Sequence, residues 1–311
     1  MNIMETKEFQ SAERFMLRNA RPLELAVWNM RYCGGSQEQA LRALAAFQNE
    51  DGGFGGGLEP DCMNPDSAPM QTLTACGVLR DIGFCDGGHP VVQGILRYLA
   101  SGADFDETAG EWRTTVPTNN DYPHAVWWSF DPSMTPEQNP LRYNPTAGLA
   151  GFALRFAERD SGLYRRAYEI AGRAAEWLVS GDVPPEAHIT GAFAILLDYM
   201  TAAGLPEFSG LRETLLRRAE AEICPDAARW ASEYLPRPSD YIADSGSMFY
   251  PGREALCGAE CSVIRSTQLP DGSFPVTWQW YTDYQEFALA VNWWKSRIIL
   301  KNIRFLENFG G

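Results

Sequence analysis

"LAAFQNEDGGFG" occupies residues 44–55, and "IRSTQLPDGSFP" occupies residues 264–275. Both read Q-x-x-D-G-[G/S]-F at the close of a stretch with helical periodicity. Gln48 and Gln268 fall at helix ends, where a side-chain amide satisfies backbone groups that the helix leaves without partners. Asp51 and Asp271 start turns, and the glycine after each supplies positive φ. Phe54 and Phe274 are then placed to plug the gap between adjacent helical hairpins. The glycines are not a phosphate loop, because no strand precedes them and no Gly-Lys-Ser/Thr follows. They turn a corner, and the same corner recurs about two hundred residues later.

Working outward, helical periodicity dominates and strand signals are sparse. The spacing predicts helices over 37–47, 71–82, 89–99, 144–158, 163–179, 189–200, 211–223, 255–266 and 284–308. The last places Phe287, Val291, Trp294, Ile298 and Phe305 on one stripe, with Lys295, Lys301 and Arg304 off it, as in a surface-docked helix. One kind of helix recurs in "PMQTLTACGVLRDIG", "YNPTAGLAGFALRFAE" and "AHITGAFAILLDYMTAAG". Each carries a Thr (Thr72, Thr146, Thr190), then small residues, then bulky apolar ones. Small residues let helix backbones approach closely at the entry end. Five or six such hairpins stack as an open solenoid or close into a ring. No Ser/Gly linker divides the chain, which favours one closed all-α domain over 1–311, with a non-repeat insert at about 102–143.

The chain has 311 residues, 45% of them hydrophobic, and a formal net charge of -14. An acidic surface repels phosphate backbones and anionic headgroups, so nucleic acid and membrane surfaces are poor partners. No run of about 18 uncharged apolar residues exists to span a bilayer, and the first 17 residues hold no signal-peptide core. The seven Cys are odd in number and scattered, which reads as reduced thiols in a cytoplasm. Cys257 and Cys261 lie one helical turn apart without a second ligand pair, so they read as buried small residues. No metal or other cofactor is expected from these patterns.

The Q-x-x-D-G-[G/S]-F corners, closing helices of a hairpin array, resemble the prenyltransferase and squalene-cyclase repeat. "DGGFGGG" at residues 51–57 is similar to the turn in protein prenyltransferase β subunits. The resemblance implies an α/α toroid whose inner helices line a cavity, able to hold an isoprenoid or other small apolar substrate. It does not carry the family's functional residues across. Zinc-dependent prenyltransferases resemble one another in an Asp-x-Cys pair and a downstream His; this chain has no Asp-x-Cys, and its last His is His188. The nearest string to the acidic cluster of class II cyclases is "DFDE", Asp104 to Glu107, which differs at its final residue.

Three stretches gather chemistry. "TTVPTNNDYPHAVWWSFDP", residues 114–132, is a long insert in a regular array, where function concentrates. Asn119, Asn120, Tyr122, Trp127 and Trp128 suit ligand binding there, and Asp121 and His124 suit proton transfer. The same Asn residues also cap turns, and the Trp pair also docks a loop. "GLEPDCMNPDSAP", residues 57–69, offers Glu59 and Asp61 as acid or base and Asp66 as a binding or helix-capping group. "YIADSGSMFY" and "TWQWYTDYQE" supply Tyr241, Asp244, Trp278, Trp280 and Asp283. Their aromatic faces stack on sugars or stabilise cations, and equally they fill a core.

Three functions compete. One is an enzyme acting on an isoprenoid-like substrate. Another is a carbohydrate-active hydrolase or lyase: Asn119, Asn120, His124 and Trp127 loosely resemble the Asn-Asn-His-x-x-Trp pattern of some polysaccharide lyases, interrupted by "DYP". There an Asn neutralises a uronate while His124 or Tyr122 moves a proton; the carboxylates instead suit a glycosidase pair. The third is a noncatalytic toroid that binds a ligand or peptide. The expected partner is thus a small molecule or glycan.

Overall fold

The computed structural model describes residues 2–311. It is all-α, with eleven α-helices among the described residues. They are α1 (Lys7–Asn19), α2 (Pro22–Tyr32), α3 (Gln37–Ala45), α4 (Pro69–Asp81), α5 (Pro90–Ser101), α6 (Thr146–Phe156), α7 (Gly162–Ser180), α8 (Ala187–Ala202), α9 (Leu211–Glu222), α10 (Glu254–Thr267) and α11 (Phe287–Phe309). A two-residue hairpin, β1 (Phe105–Asp106) with β2 (Glu111–Trp112), stands alone in the insert. The chain forms two compact units. One is Leu44–Arg218; the other joins the chain up to Ala43 with Ala219–Gly311. No described helix is long and apolar enough to cross a membrane.

In the Leu44–Arg218 unit, α6 is the central helix and packs on α4, α5, α7 and α8. Every residue from Thr146 to Leu154 is buried, so it has no solvent face. Its small residues permit this. A Cβ at Gly148 would lie 2.5 Å from Leu73 Cδ1, and one at Gly151 would lie 2.9 Å from Leu196 Cα. The three recurrent threonines are fully buried and bonded. Thr72 Oγ1 accepts from the Phe54 N–H (3.2 Å), Thr146 donates to the Trp112 carbonyl (3.1 Å), and Thr190 accepts from Arg218 Nε (2.8 Å). In the insert, buried Glu111 accepts from Arg142 Nε (2.8 Å) and the Tyr143 N–H (2.9 Å), tying β2 to the entry of α6.

In the other unit, α11 packs against α1, α2 and α10. Helices α1 and α2 are absent from the periodicity reading, although their start signals are ordinary. Thr6 Oγ1 caps α1 by accepting from the Phe9 N–H, and Pro22 opens α2. The first turn of α2 carries buried Glu24, held by Arg21 (2.6 Å) and Arg297 (3.3 Å). Burial alone would raise this carboxyl; hydrogen bonds from Arg21 and the charges of Arg21 and Arg297 outweigh it and hold the group below its ordinary value.

The two corners, one in each unit, have matching surroundings. Gln48 Nε2 donates to the carbonyl of Gly52 in its own turn (2.9 Å) and to that of Val91 in the first turn of α5 (3.0 Å). Gln268 Nε2 donates to Gly272 (3.0 Å) and to Glu8 in the first turn of α1 (2.8 Å). Asp51 and Asp271 each accept the N–H two residues on, at 2.9 Å. A Cβ on Gly52 would fall 2.0 Å from the Gly94 carbonyl oxygen, three residues after Val91; one on Gly272 would fall 2.0 Å from that of Ser11, three residues after Glu8. Phe54 and Phe274 are both buried. The Gly/Ser alternation has a cause. Gly53 leaves room for Ser67, whose hydroxyl donates to Asp51 (2.7 Å); at the second corner Ser273 supplies that hydroxyl to Asp271 itself (2.6 Å). Two further features differ: Gly94, where a Cβ would lie 2.3 Å from Gln48 Nε2, is matched by Ser11, and Asp271 pairs with Lys295 (3.0 Å).

Candidate functional site

Within the Leu44–Arg218 unit, the acidic loop and the Asn/His/Trp loop meet along a short antiparallel seam. Cys62 bridges His124 across it. The Met63 N–H donates to the Pro123 carbonyl (2.9 Å), and the Ala125 N–H donates to the Asp61 carbonyl (2.8 Å). Buried Asn64 clamps the seam by donating to Thr118 Oγ1 (2.8 Å) and Asn119 Oδ1 (3.0 Å). Gln71 on α4 braces the acidic loop: its Oε1 accepts from the Glu59 N–H (2.6 Å), and its Nε2 donates to the Cys62 carbonyl (2.8 Å).

The predicted residues divide by position. Glu59 and Asp61 are buried, and Glu59 accepts the Asp61 N–H at 3.0 Å. Asp66 is exposed, one turn before α4. Asn119 is buried and donates to the Trp128 carbonyl (3.0 Å), so both ends of its amide serve the protein. Asn120 exchanges two hydrogen bonds with the Phe130 backbone, at 2.9 and 2.8 Å, bracing the loop. Asp121 is exposed at the end of the 3-10 turn Pro117–Asp121, Tyr122 is half-buried, Trp127 is exposed and Trp128 is buried.

His124 is buried with both ring nitrogens engaged. Nδ1 lies 2.6 Å from the Tyr122 carbonyl oxygen, and Nε2 lies 3.0 Å from Ser129 Oγ. A carbonyl only accepts, so Nδ1 carries the proton in the neutral ring. Nε2 then holds a lone pair, and the Ser129 hydroxyl donates to it. Burial first, then the charges of Glu59 and Asp61, push the neighbouring Cys62 thiol up to about 12, so it is no thiolate at neutral pH.

Comparison with protein-family models, curated proteins and solved structures finds no match for this chain.

The Asp104–Glu107 string is tied down separately. Asp104 accepts from the Tyr98 hydroxyl (2.9 Å), Asp106 pairs with Arg113 (3.1 Å), and Glu107 pairs with Arg166. The third predicted set belongs to the other unit. Tyr241 donates to Glu222 (2.6 Å), Asp244 accepts from the Gly246 N–H (2.9 Å), and Asp283 is exposed. Trp280 is buried against Phe287. Trp278 lies between Tyr234 and Trp294, edge to face, with centroids 5.3 and 5.1 Å away. Tyr281 holds a positive φ of 56° and is 70% exposed. A groove of about 240 Å³ between α7 and Phe208–Ser209 contains none of the predicted residues. Among the described residues, no three His, Cys, Asp or Glu side chains gather as a metal site.

Residue-type reasoning left out Asn64, Thr118, Gln71 and Ser129. Ser129 was visible within residues 114–132, five positions after His124. Only the fold brings its hydroxyl back to the imidazole.

Proposed function

We propose that the chain is an enzyme whose working centre is the seam between the two loops, with His124 as the proton acceptor. The observation that supports this is the setting of the imidazole: Nδ1 lies 2.6 Å from a carbonyl oxygen, and Nε2 lies 3.0 Å from a hydroxyl. An enzymatic base requires that disposition. The matched corners support kinship with the prenyltransferase and squalene-cyclase repeat and its α/α toroid. The zinc and acid-cluster chemistries of that family are no part of the proposal, because their sequence signatures are missing. A net charge of -14 favours neutral or cationic substrates over anions. The test is hydrolysis of neutral p-nitrophenyl acetate and butyrate. His124→Gln should lower kcat/KM by about 100-fold or more while the circular dichroism spectrum stays unchanged. Undiminished turnover in that variant refutes the reading.

A second reading rests on the other unit. Exposed Tyr234 leads into Trp278 and Trp294, and sugar rings bind such aromatic rows by stacking. Titration with neutral maltohexaose while following tryptophan fluorescence tests it; an unchanged spectrum at millimolar sugar refutes it.

A further inference from the structure

The loop that carries His124 folds back on itself within five residues. Tyr122 and Pro123 run along the acidic loop, Ala125 is anchored to Asp61, and the chain then makes a 3-10 turn over Val126–Trp128. Ser129 caps that turn, its N–H donating to the Val126 carbonyl at 3.2 Å. The reversal sets the Ser129 hydroxyl 3.0 Å from His124 Nε2. His124 is 6% exposed, whereas Ser129 lies at the surface. The base is therefore shielded beneath a hydroxyl that a ligand can reach. The Tyr122 carbonyl fixes the far side of the ring at 2.6 Å. Nucleophile, base and orienting group are thus all present within hydrogen-bond reach, which is the geometry of an activated serine.

Two features of the same turn bear on what it would take. The N–H groups of Ser129 and Phe130 are spent on the Val126 carbonyl and Asn120 Oδ1. The indole N–H of Trp128, the residue before Ser129, is buried without a partner. The indole N–H groups of Trp28, Trp112 and Trp230 share that state. Val126 and Trp127 on the turn are 50% and 36% exposed, an apolar ledge beside the hydroxyl.

Resting on the reading of His124 as a base, we infer that Ser129 is the nucleophile of an acyl-transfer site for neutral esters with a compact apolar acyl group. Ser129 Oγ bonds to the acyl carbon as its proton passes to His124 Nε2. The ester C–O bond breaks, and the leaving alcohol takes that proton. Water then attacks the acyl-serine with His124 again accepting a proton, and acid and free Ser129 return.

The probe is diisopropyl fluorophosphate, which a nucleophilic serine attacks at phosphorus with loss of fluoride. Intact mass and peptide mapping of the full chain should show one diisopropylphosphoryl group, on Ser129. His124→Gln should slow the labelling by about 100-fold or more, and Ser129→Ala should abolish it with an unchanged circular dichroism spectrum. Absence of labelling in a protein whose ester hydrolysis still needs His124 overturns Ser129 as nucleophile and leaves the base assignment standing. Labelling of Ser129 at the same rate in His124→Gln overturns both. Labelling mapped to another serine overturns the inference outright.

Discussion

Alanine at Gly52 and at Gly272 should damage the protein equally, and the size of the damage follows from two contacts. Both residues hold positive φ, 97° and 91°. A side chain in left-handed backbone costs about 1–2 kcal/mol. The added Cβ would also lie 2.0 Å from a helix carbonyl oxygen, that of Gly94 in α5 or Ser11 in α1. Backbone in the first turns of a packed helix cannot step aside, so overpacking adds about 1–3 kcal/mol. Each variant should therefore lose about 2–5 kcal/mol, a large part of the roughly 5–15 kcal/mol that stabilises a folded domain. Gly56 supplies the control: its φ is 66°, it is exposed, and the nearest atom to an added Cβ is 3.7 Å away. Gly56→Ala should lose only the backbone share, about 1–2 kcal/mol. Urea denaturation followed by circular dichroism and by tryptophan fluorescence measures all three. If Gly52→Ala and Gly272→Ala differ widely, or match Gly56→Ala, the corners are not equivalent joints and this reasoning fails.

Three further outcomes follow. Removing the Asn64 amide with Asn64→Ala should cost about 1–3 kcal/mol and speed hydrogen exchange at the Met63 and Ala125 amides, which cross the seam; unchanged exchange there means the clamp is elsewhere. Glu24, whose folded carboxyl titrates below its ordinary value of 4.5, contributes stability above that value and loses it as pH falls through the lower folded one. Glu24→Gln leaves Arg21 and Arg297 without their buried counter-charge and should cost about 3–5 kcal/mol near neutral pH; the gap to wild type should narrow in urea titrations as pH falls below the ordinary value of 4.5, and a constant gap contradicts the assignment. Iodoacetamide at pH about 8 should label exposed Cys85 well before buried Cys62 and Cys76, as mapped by peptide mass; early labelling of Cys62 would show that the seam opens.

The corners were the most legible part of the chain because their chemistry is local. An Asp two residues before a turn N–H, a glycine at positive φ and a Gln at a helix end are set by short spacings, and the same bonds form at both sites. The small residues of α6 were readable too, since Gly148 and Gly151 leave only their backbones to neighbours. Helix α1 was missed although Phe9, Ala12, Phe15 and Met16 recur at helical spacing on its buried face; α2 escaped because Glu24 interrupts its apolar face, where Arg297, far away in sequence, joins neighbouring Arg21 in making the buried charge tolerable. The site was half legible. Residues 114–132 announced themselves by their density of functional groups, but composition does not say which groups are spent. Asn119 and Asn120, expected to bind ligand, have their amides committed to Trp128, Asn64 and Phe130. The pairing of His124 with Ser129 depends on a chain reversal that no periodicity encodes.

The most direct measurement is the tautomer of one imidazole. The chain has three histidines, His89, His124 and His188, so nitrogen-15 labelling of histidine with His124→Gln as reference assigns the His124 ring in an NMR spectrum. The account predicts a protonated Nδ1 and a bare Nε2 at neutral ring charge, with the Nε2 signal moving when Ser129 becomes alanine. A proton on Nε2 in the neutral ring would contradict it, because the ring would then have no lone pair to offer the hydroxyl.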